Sequence, residues 1–473
     1  MIEIRPFISG AYEDGDAIAS VENKYTGARA ALVHTAGRTQ VNRAVQAVAQ
    51  AQESASLAPY RRYEILTAAA QLLAERRQAF IDTIMLDTGF PAADAGKEVE
   101  RAQQTLLISG EEAKRIKGEM VPIDATPGGS RRLAFTLRRP VGVVCAITPF
   151  NSPLNTVLHK VAPALAAGNG VVLKPSLYTP VTADLMLRLL LDAGVPRKLI
   201  SVLHGEGSEV GQWLLESTVP GFYAFTGSTA VGLQIRKTIG VRRAQLELGS
   251  LSSTIVCADA DIERAAALCV NAAFRKAGQV CTSVQRLYVH QSVVADFAAA
   301  MTAELAPRQA GDPSDPKTFV GPVISNGDAE RIEAWVDAAV ADGASVAYGG
   351  GRSGRVVNPV VLADVTPTMK VMATEVFGPV VSLRPFTDLN EAIAEVNDTP
   401  YGLSAGVFTS DITNALVAAD RLRFGTVHIN ETSSARVDLL PFGGVKASGE
   451  GREGPAYAVA EMTEERLVTI GGA

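Results

Sequence analysis

The sequence contains little cysteine for its length. Only four of its 473 residues are cysteines, and none of them forms a C-x-x-C pair. Four are too few for the disulfide framework of a secreted protein of this size, and C-x-x-C pairs are the usual signal for zinc binding or thiol redox cycling. We therefore expect free thiols in a reducing compartment, and no bound metal. The four are Cys145, Cys257, Cys269 and Cys281.

An excess of positive charge and long apolar runs are also missing. The chain has 44 Lys and Arg against 50 Asp and Glu, and its net charge is −6. This balance does not supply the basic surface that nucleic acids or anionic lipids require. No stretch approaches the roughly 18 consecutive apolar residues of a membrane span, and the N-terminus lacks the apolar core of a signal peptide. The sequence predicts a cytoplasmic protein without nucleic-acid or membrane partners.

What is present is typical of a large globular α/β protein. Apolar residues make up 47% of the chain and charged residues 20%, and the length predicts two or three domains. Apolar residues at three- and four-residue intervals predict three early helices. Short β-branched runs then alternate with amphipathic helices, a rhythm typical of parallel sheets. The early helices are Val41 to Ser54, Tyr60 to Thr88 and Gly96 to Lys117.

Two series of strands and helices follow Pro140. The first has predicted strands at 141–147, 170–174, 199–204 and 222–225 and helices at 154–167, 180–193 and 208–216. The second has predicted strands at 253–256, 286–290, 378–386, 404–408 and 426–429 and helices at 262–274 and 329–342. We expect two parallel sheets in separate domains.

Ligands of parallel sheets bind beyond the carboxyl ends of the strands. In the first series these ends carry Pro149 to Asn151, Lys174 to Ser176, His204 to Gly207 and Thr226 to Ser228. Apart from this series, residues 120–124 and 131–137 flank a Thr-Pro-Gly-Gly turn and predict a hairpin, and the terminal run at 464–470 predicts a strand that needs a partner.

Several residues could carry chemistry, and each also has a structural interpretation. Cys281 follows a small Gly-Gln-Val approach that would expose its sulfur as a nucleophile, although most free cysteines are buried. Glu247 lies in an apolar stretch at a strand end, where burial would raise its pKa towards that of a general base, but a solvated carboxylate is the alternative. Asn151 is either an amide donor or a turn residue. Ser228 is either a pyrophosphate ligand or an ordinary helix cap.

Seven motifs taken together resemble the aldehyde dehydrogenase superfamily over essentially the whole chain. Their order and spacing match those of the family. They are Thr-Pro-Phe-Asn at 148–151, Leu-Lys-Pro-Ser at 173–176, Phe-Thr-Gly-Ser at 225–228, Glu-Leu-Gly at 247–249, Gly-Gln-Val-Cys at 278–281, Glu-Val-Phe-Gly-Pro at 375–379 and Pro-Phe-Gly-Gly-Val-Lys-x-Ser-Gly at 441–449.

The resemblance implies a catalytic centre. Cys281 would attack the aldehyde as a thiolate, and Asn151 and the cysteine's own backbone N–H would hold the oxyanion of the thiohemiacetal. Hydride transfer to NAD or NADP would leave a thioester, which water activated by Glu247 would hydrolyse to the carboxylate. A CoA-acylating relative would not need that base. A cysteine hydrolase would need a histidine activator, and a non-catalytic homologue would be expected to lose Cys281 or Glu247.

The resemblance also implies a cofactor site. Lys174 would bind the adenosine ribose, Ser228 the pyrophosphate and Glu375 the nicotinamide ribose. Leu177 replaces the glutamate of many NAD-preferring relatives, so NADP should be tolerated or preferred. The common Glu-Leu-Gly-Gly is Glu-Leu-Gly-Ser here, which puts Ser250 near the base. The expected cofactor residues are Pro149, Phe150, Lys174, Ser176, Gly207, Gly211, Phe225, Gly227, Ser228, Gly249, Glu375 and Phe377.

Domains, assembly and substrate class follow from the same resemblance. It implies a cofactor domain at 1–117 and 139–246, a catalytic domain at 247–440, and an oligomerisation element at 118–138 and 441–473 that supports a dimer or tetramer. The motifs are similar to those of lactaldehyde and phosphonoacetaldehyde dehydrogenases, which indicates a small polar aldehyde. If it is anionic, the basic residues to consider are Arg101, His159, Arg286 and Arg436; each could equally be a structural cation.

Overall fold

The protein forms two large, mainly parallel sheets covered by helices. This computed structural model describes residues 2–54, 57–128 and 132–471. The first sheet has eight strands, and its five central strands run parallel. Across the sheet the strands are Gly449–Glu450, Arg243–Glu247, Phe222–Thr226, Val143–Ile147, Gly170–Lys174, Ile200–Val202, Phe7–Ile8 and Ala11–Tyr12.

Both faces of this first sheet are buried. Along the strand Val143–Ile147, Val144 and Ala146 enter one apolar cluster while Val143 and Cys145 enter the other. Successive side chains of a strand point to opposite faces, so a continuous apolar run is needed where helices cover both. One face packs against helices Pro59–Glu75, Arg77–Thr88, Ala92–Ala113, Asn155–Ala166, Pro180–Asp192 and Pro455–Glu461, and the other against Arg38–Ser54, Gln212–Glu216 and Thr229–Ile239.

The second sheet has seven strands, of which only the edge strand Ser345–Gly349 is antiparallel. The order across the sheet is Ser345–Gly349, Val360–Ala363, Val380–Phe386, Arg286–His290, Ser253–Val256, Ser404–Phe408 and Thr426–Ile429. A single large apolar cluster surrounds it. Its helices are Ile262–Phe274, Val294–Leu305, Asn326–Ala341, Lys370–Ala373, Leu389–Asn397 and Ile412–Arg421. The predicted α/β fold with two parallel sheets is confirmed.

The terminal strand finds its partner within the chain. Thr463–Gly471 pairs antiparallel with Arg132–Pro140, which also pairs with Met120–Val121. The predicted pairing of the two hairpin segments is confirmed, but the first strand is shorter than the predicted 120–124, because Ile123–Ala125 form a 3-10 turn. Gly129 of the predicted turn and Arg131 lie outside the described residues. The boundaries predicted for the three domains stay predictions.

Three smaller sheets complete the fold. One of them is formed by Ile2–Ile4, Ala17–Glu22 and Arg29–Thr35. No strand is predicted before residue 41, because polar and apolar residues show little alternation in these segments. The other two pair Gln309–Ala310 with Thr318–Val320 and Arg352–Ser353 with Val356–Val357.

Two predicted helices differ from those observed. The prediction of a single helix over 60–88 is wrong. Arg76 has non-helical backbone angles, φ −97° and ψ 16°, and separates two helices. The helix over 208–216 begins as a π turn at Gly207–Gly211. Short 3-10 turns occur at Ile123–Ala125, Arg197–Leu199, Arg275–Gly278 and Lys446–Ser448. No helix among the described residues has the length and apolar character to cross a membrane.

Candidate active site

A cavity of about 710 Å³ lies at the carboxyl ends of the strands of the first sheet. All four loops expected there contribute to its walls, together with segments that precede strands Arg286–His290 and Val380–Phe386 and a segment that follows strand Thr426–Ile429. It brings together Asn151, Glu247 and Cys281, the three candidate catalytic residues. Of the candidate cofactor residues, Pro149, Phe150, Lys174, Ser176, Gly207, Gly227, Ser228, Gly249, Glu375 and Phe377 line it. Gly211 and Phe225 are not among the residues that line it.

The loop that carries Cys281 is shaped by left-handed backbone. Lys276, Ala277 and Gly278 have φ values of 52°, 54° and 69°. A Cβ atom at Gly278 would overlap the carbonyl oxygen of Gly378, so only glycine permits this approach of the 375–379 segment. Lys276 anchors the turn, since its Nζ donates to Glu98 Oε2 at 2.6 Å and to the Asn151 carbonyl at 2.9 Å. The turn therefore joins the cysteine loop to the segment that carries Asn151.

Asn151 and Cys281 are placed next to each other through the same loop. The Asn151 side-chain amide donates one hydrogen bond to the Gln279 carbonyl at 2.9 Å, which leaves its second N–H available. Burial raises the pKa of the Cys281 thiol to about 12, and the positive charge of Arg436 opposes that rise. The resting sulfur is therefore protonated and needs a nearby base.

Glu247 has the properties of such a base. It is 3% exposed, and neither carboxylate oxygen has a hydrogen-bond partner in the described part of the chain. Burial raises the pKa of Glu247 well above its ordinary value, and the negative charge of Glu453 raises it further. This is the direction that its apolar neighbours in the sequence predict. A carboxyl group tuned upwards in this way exchanges protons near neutral pH more readily than a solvated one.

Glu453 lies beside Glu247 but has the opposite electrostatics. Its carboxylate accepts from Lys160 Nζ at 2.9 Å and from Arg436 Nη2 at 2.7 Å. The Lys160 side chain is fully buried in helix Asn155–Ala166. These charges hold the pKa of Glu453 well below its usual range despite its burial. Glu453 is therefore a fixed negative charge, and its repulsion raises the pH at which Glu247 loses its proton.

The part of the cavity lined by the predicted cofactor residues, called the cofactor end below, contains charged groups of a different kind. Lys174 has no carboxylate within ion-pair distance among the residues described, and burial lowers its pKa to about 8. Burial raises the pKa of Glu375 to about 8, while the Ser250 backbone N–H and Arg331 oppose that rise. A Cβ atom at Gly249 would come within 2.9 Å of the Glu375 carboxylate. The arrangement keeps Glu375 accessible to hydroxyl groups.

Short loops and aromatic rings form the remaining wall of this end. Ser228 caps helix Thr229–Ile239, and its Oγ accepts from the Val231 N–H at 3.4 Å. The same residue also lines the cavity. The Phe150 ring contacts Phe377 and Tyr178 edge to face, each at 5.9 Å between centroids. Leu177 also lines this end and places no charge there.

Only one of the four basic residues considered for an anionic substrate lines the cavity. Arg436 does, and its guanidinium stacks on Phe442 at 3.8 Å. Arg101 forms a two-pronged ion pair with Asp438, which also accepts from His159 at 2.8 Å. These two residues position the 436–438 segment from outside the cavity wall. Arg286 is buried on its strand and donates to Ser253, Leu251 and Val396, so its guanidinium is occupied within the second sheet and does not reach the cavity.

Ser250 is oriented away from the base. Its Oγ pairs with the Ser252 Oγ at 2.9 Å, and the Ser252 hydroxyl donates to the Cys281 carbonyl at 3.2 Å. The extra side chain relative to Glu-Leu-Gly-Gly therefore supports the cysteine loop.

Sequence reasoning missed four residues of this region. Lys160 could have been found as a charge inside an apolar helix, and Glu453 as an acid in the glycine-rich run 449–454. Asp438 and Arg275 had no local signal, because their importance comes from partners distant in sequence. Arg275, for example, donates from Nη2 to the Ser434 Oγ at 2.7 Å.

Comparison with known proteins identifies a matching family and several similar proteins. The model of the aldehyde dehydrogenase family matches residues 12–468. A protein named 3-sulfolactaldehyde dehydrogenase from Priestia megaterium is 46% identical over 464 residues, which cover 98% of this chain and 97% of that protein. A lactaldehyde dehydrogenase from Methanococcus maripaludis is 38% identical, covering 88% and 89%. The NADP-dependent glyceraldehyde-3-phosphate dehydrogenase of Bacillus halodurans, solved with NADP, superposes with a TM-score of 0.97 at 34% identity and covers 100% of both chains.

Proposed function

Since the chain belongs to the aldehyde dehydrogenase family and oxidises an aldehyde with NAD or NADP, we propose that its substrate is a small anionic aldehyde and that Cys281 is its nucleophile. The observation that carries the proposal is the convergence of Cys281, Asn151 and Glu247 on one cavity whose other end can hold a dinucleotide. The relatives named after lactaldehyde and sulfolactaldehyde support the substrate size.

The cofactor end fits a dinucleotide on its own chemistry. Lys174 is a buried ammonium with no carboxylate within ion-pair distance among the residues described, and Glu375 is a half-buried carboxyl group in the cavity wall. These two would hold the ribose hydroxyl groups, and the amides at the start of helix Thr229–Ile239 would face the pyrophosphate. When bound there, NAD or NADP supplies the acceptor for the two electrons released by the aldehyde.

The side chains around the sulfur would carry the first step. The Cys281 thiol passes its proton to a base and the sulfur bonds to the aldehyde carbon, which gives a thiohemiacetal oxyanion. The free N–H of Asn151 and the backbone N–H of Cys281 are the donors within reach of that oxygen. Because both are held by the loop, they need little rearrangement as charge develops.

Glu247 would complete the cycle by activating water. After oxidation the acyl group remains on the sulfur, and its hydrolysis requires a base that can take a proton from water. The two unpartnered oxygens of Glu247 and its raised pKa suit that task. Such a base favours release of a carboxylic acid over transfer of the acyl group to CoA.

Self-association and a cytoplasmic location remain predictions of the same proposal. The sheet formed by Thr463–Gly471 and Arg132–Pro140 exposes Leu133, Leu467 and Ile470. Exposed apolar side chains on a two-sided sheet suit an interface with another subunit. We expect a dimer or tetramer through this element.

The nucleophile is tested by comparing Cys281→Ala with Cys269→Ala. Cys269 is buried in an alanine-rich helix, so its replacement controls for the loss of a thiol elsewhere. We expect Cys281→Ala to reduce aldehyde-dependent reduction of NAD or NADP by at least about a thousandfold, and Cys269→Ala to keep most of it. Intact mass spectrometry of the native enzyme under turnover should find an acyl adduct on Cys281. Retained turnover in Cys281→Ala would refute this role.

A further inference from the structure

The backbone on both sides of Cys281 is held by hydrogen bonds. The Ser283 N–H donates to the Val280 carbonyl at 2.9 Å, which holds the peptide unit that contains the Cys281 N–H. The Ser252 hydroxyl donates to the Cys281 carbonyl at 3.2 Å, which holds the next peptide unit. Peptide units are planar, so their orientations set both backbone dihedral angles of the residue between them. The directions of the Cys281 Cβ atom and N–H therefore depend on these two bonds.

The Ser252 hydroxyl group is oriented by a second serine. The backbone of Ser252 is fixed, because its carbonyl accepts from the N–H groups of Gln285 and Arg286 at 3.4 and 3.3 Å. Its Oγ lies 2.9 Å from the Ser250 Oγ, and both serines are at most 2% exposed. A hydroxyl group has one proton, and Ser252 uses its proton on the Cys281 carbonyl. The contact between the two serines must therefore use the proton of Ser250.

Ser250 itself belongs to a segment that is fixed at the cofactor end. The N–H of the preceding Gly249 donates to the Thr229 Oγ1 at 3.1 Å, and its carbonyl accepts from the Ser448 hydroxyl at 2.7 Å. The Glu375 carboxylate also lies against this segment, since a Cβ atom at Gly249 would come within 2.9 Å of it. The two hydroxyl groups therefore connect firmly held backbone to the peptide unit that follows the nucleophile.

We propose that Ser250 is a positioning residue that orients the backbone of Cys281 through the Ser252 hydroxyl group. This inference rests on the proposed role of Cys281 as the nucleophile. Neither serine is among the residues that line the cavity, so their effect reaches the reaction through the cysteine loop. Without the Ser250 proton the Ser252 hydroxyl group is free to rotate, and the Cys281 N–H is held less firmly. The oxyanion then meets a poorly aligned donor, which slows the chemical step and leaves binding of the aldehyde largely unchanged.

Steady-state kinetics of serine variants test this role. The variants are Ser250→Ala, Ser252→Ala, the double variant and Ser250→Thr. Ser382→Ala is the control, since Ser382 is fully buried and its Oγ has no hydrogen-bond partner in the described part of the chain. We expect Ser250→Ala to lower kcat by about threefold to tenfold with little change in KM. Ser250→Thr keeps the hydroxyl group and should recover most of the loss, and Ser382→Ala should keep the native kcat.

The double variant distinguishes one chain of hydroxyl groups from two independent contacts. If Ser250 acts only through Ser252, Ser250→Ala should add nothing to the loss of kcat that Ser252→Ala already causes. Losses that multiply in the double variant would contradict the chain. An unchanged kcat in Ser250→Ala would overturn the proposal outright.

Alkylation of Cys281 by iodoacetamide, followed by intact mass spectrometry, provides a measurement that does not need turnover. Its rate constant should change by less than about twofold in Ser250→Ala, because the burial and the neighbouring charges that control the thiol are unchanged. A much faster alkylation would show that the loop has merely loosened, and would also overturn the positioning role. Retained turnover in Cys281→Ala would instead refute the proposed nucleophile, whatever the serine variants show.

Discussion

The two ends of the cavity handle buried charge in different ways. At the substrate end, Lys160, Glu453 and Arg436 form one continuous ionic network. At the cofactor end, Lys174 is buried and Glu375 is half-buried, and both have pKa values of about 8. Neither has a partner of opposite charge within ion-pair distance in the described part of the chain. Paired charges keep one ionisation state and hold their side chains in fixed positions. Unpaired groups whose pKa values lie near physiological pH can change their protonation when a ligand arrives.

The largest effect expected from this difference concerns stability. Glu453→Ala would leave the charges of Lys160 and Arg436 buried without their carboxylate and should lower the free energy of unfolding by about 3–5 kcal/mol. Lys174→Met should cost far less, since no partner is stranded. Glu431→Ala, which removes a surface ion pair with Arg264, should change stability by at most about 1 kcal/mol. Urea denaturation measures all three. Equal losses for Glu453→Ala and Lys174→Met would mean that the two ends do not differ.

A smaller effect is expected in the pH dependence of stability. Glu375 keeps its proton in the folded protein up to about pH 8, whereas its ordinary pKa is 4.5. Between these values the unfolded chain has already released the proton, so this group makes stability fall as pH rises from about 4.5 to 8. In Glu375→Gln the loss of unfolding free energy over this pH range should be smaller by on the order of 3 kcal/mol.

Urea midpoints at pH 5, 6, 7 and 8 measure this slope. Glu330→Gln, at an exposed position of helix Asn326–Ala341, is the control and should retain the native slope. A slope in Glu375→Gln that equals the native one would show that Glu375 ionises normally. Lys174 acts in a separate window, since its lowered pKa makes stability rise between about pH 8 and 10.5.

The smallest effect concerns the choice of cofactor. Leu177 lines the cofactor end without charge. Leu177→Glu should reduce kcat/KM for NADP by about tenfold or more through repulsion of the 2′-phosphate, and leave NAD turnover equal or improved. Leu177→Gln, which has the same size without the charge, should keep NADP turnover. Unchanged use of NADP by Leu177→Glu would indicate that the phosphate is bound away from this residue.

Sequence reasoning succeeded where chemistry is tied to strand ends. Asn151, Lys174 and Ser228 were expected to meet because parallel strands bring their carboxyl ends to one edge, and all three line the cavity. It could not separate Arg436 from Arg286, since both are arginines in apolar surroundings. In the structure the two differ. The Arg286 guanidinium donates its hydrogen bonds around the second sheet, while Arg436 lines the cavity.

The break at Arg76 shows the same limit on a smaller scale. Neither proline nor glycine occurs near it, so apolar periodicity continues through the break. Packing of helices Pro59–Glu75 and Arg77–Thr88 on the long helix Ala92–Ala113 produces the turn instead.

Order and spacing of residues along the chain predicted the alternation of strands and helices and the edge of the sheet where ligands are expected. The resemblance of the motifs to a known family then singled out the sulfur, amide and carboxylate expected there. Periodicity and turn chemistry are local, so a single sequence contains them. Tertiary structure alone decided the ionisation of Glu247 and the pairing of the Lys160 ammonium with Glu453. Electrostatic energies depend on burial and on distances between residues hundreds of positions apart, and only the folded chain sets these quantities.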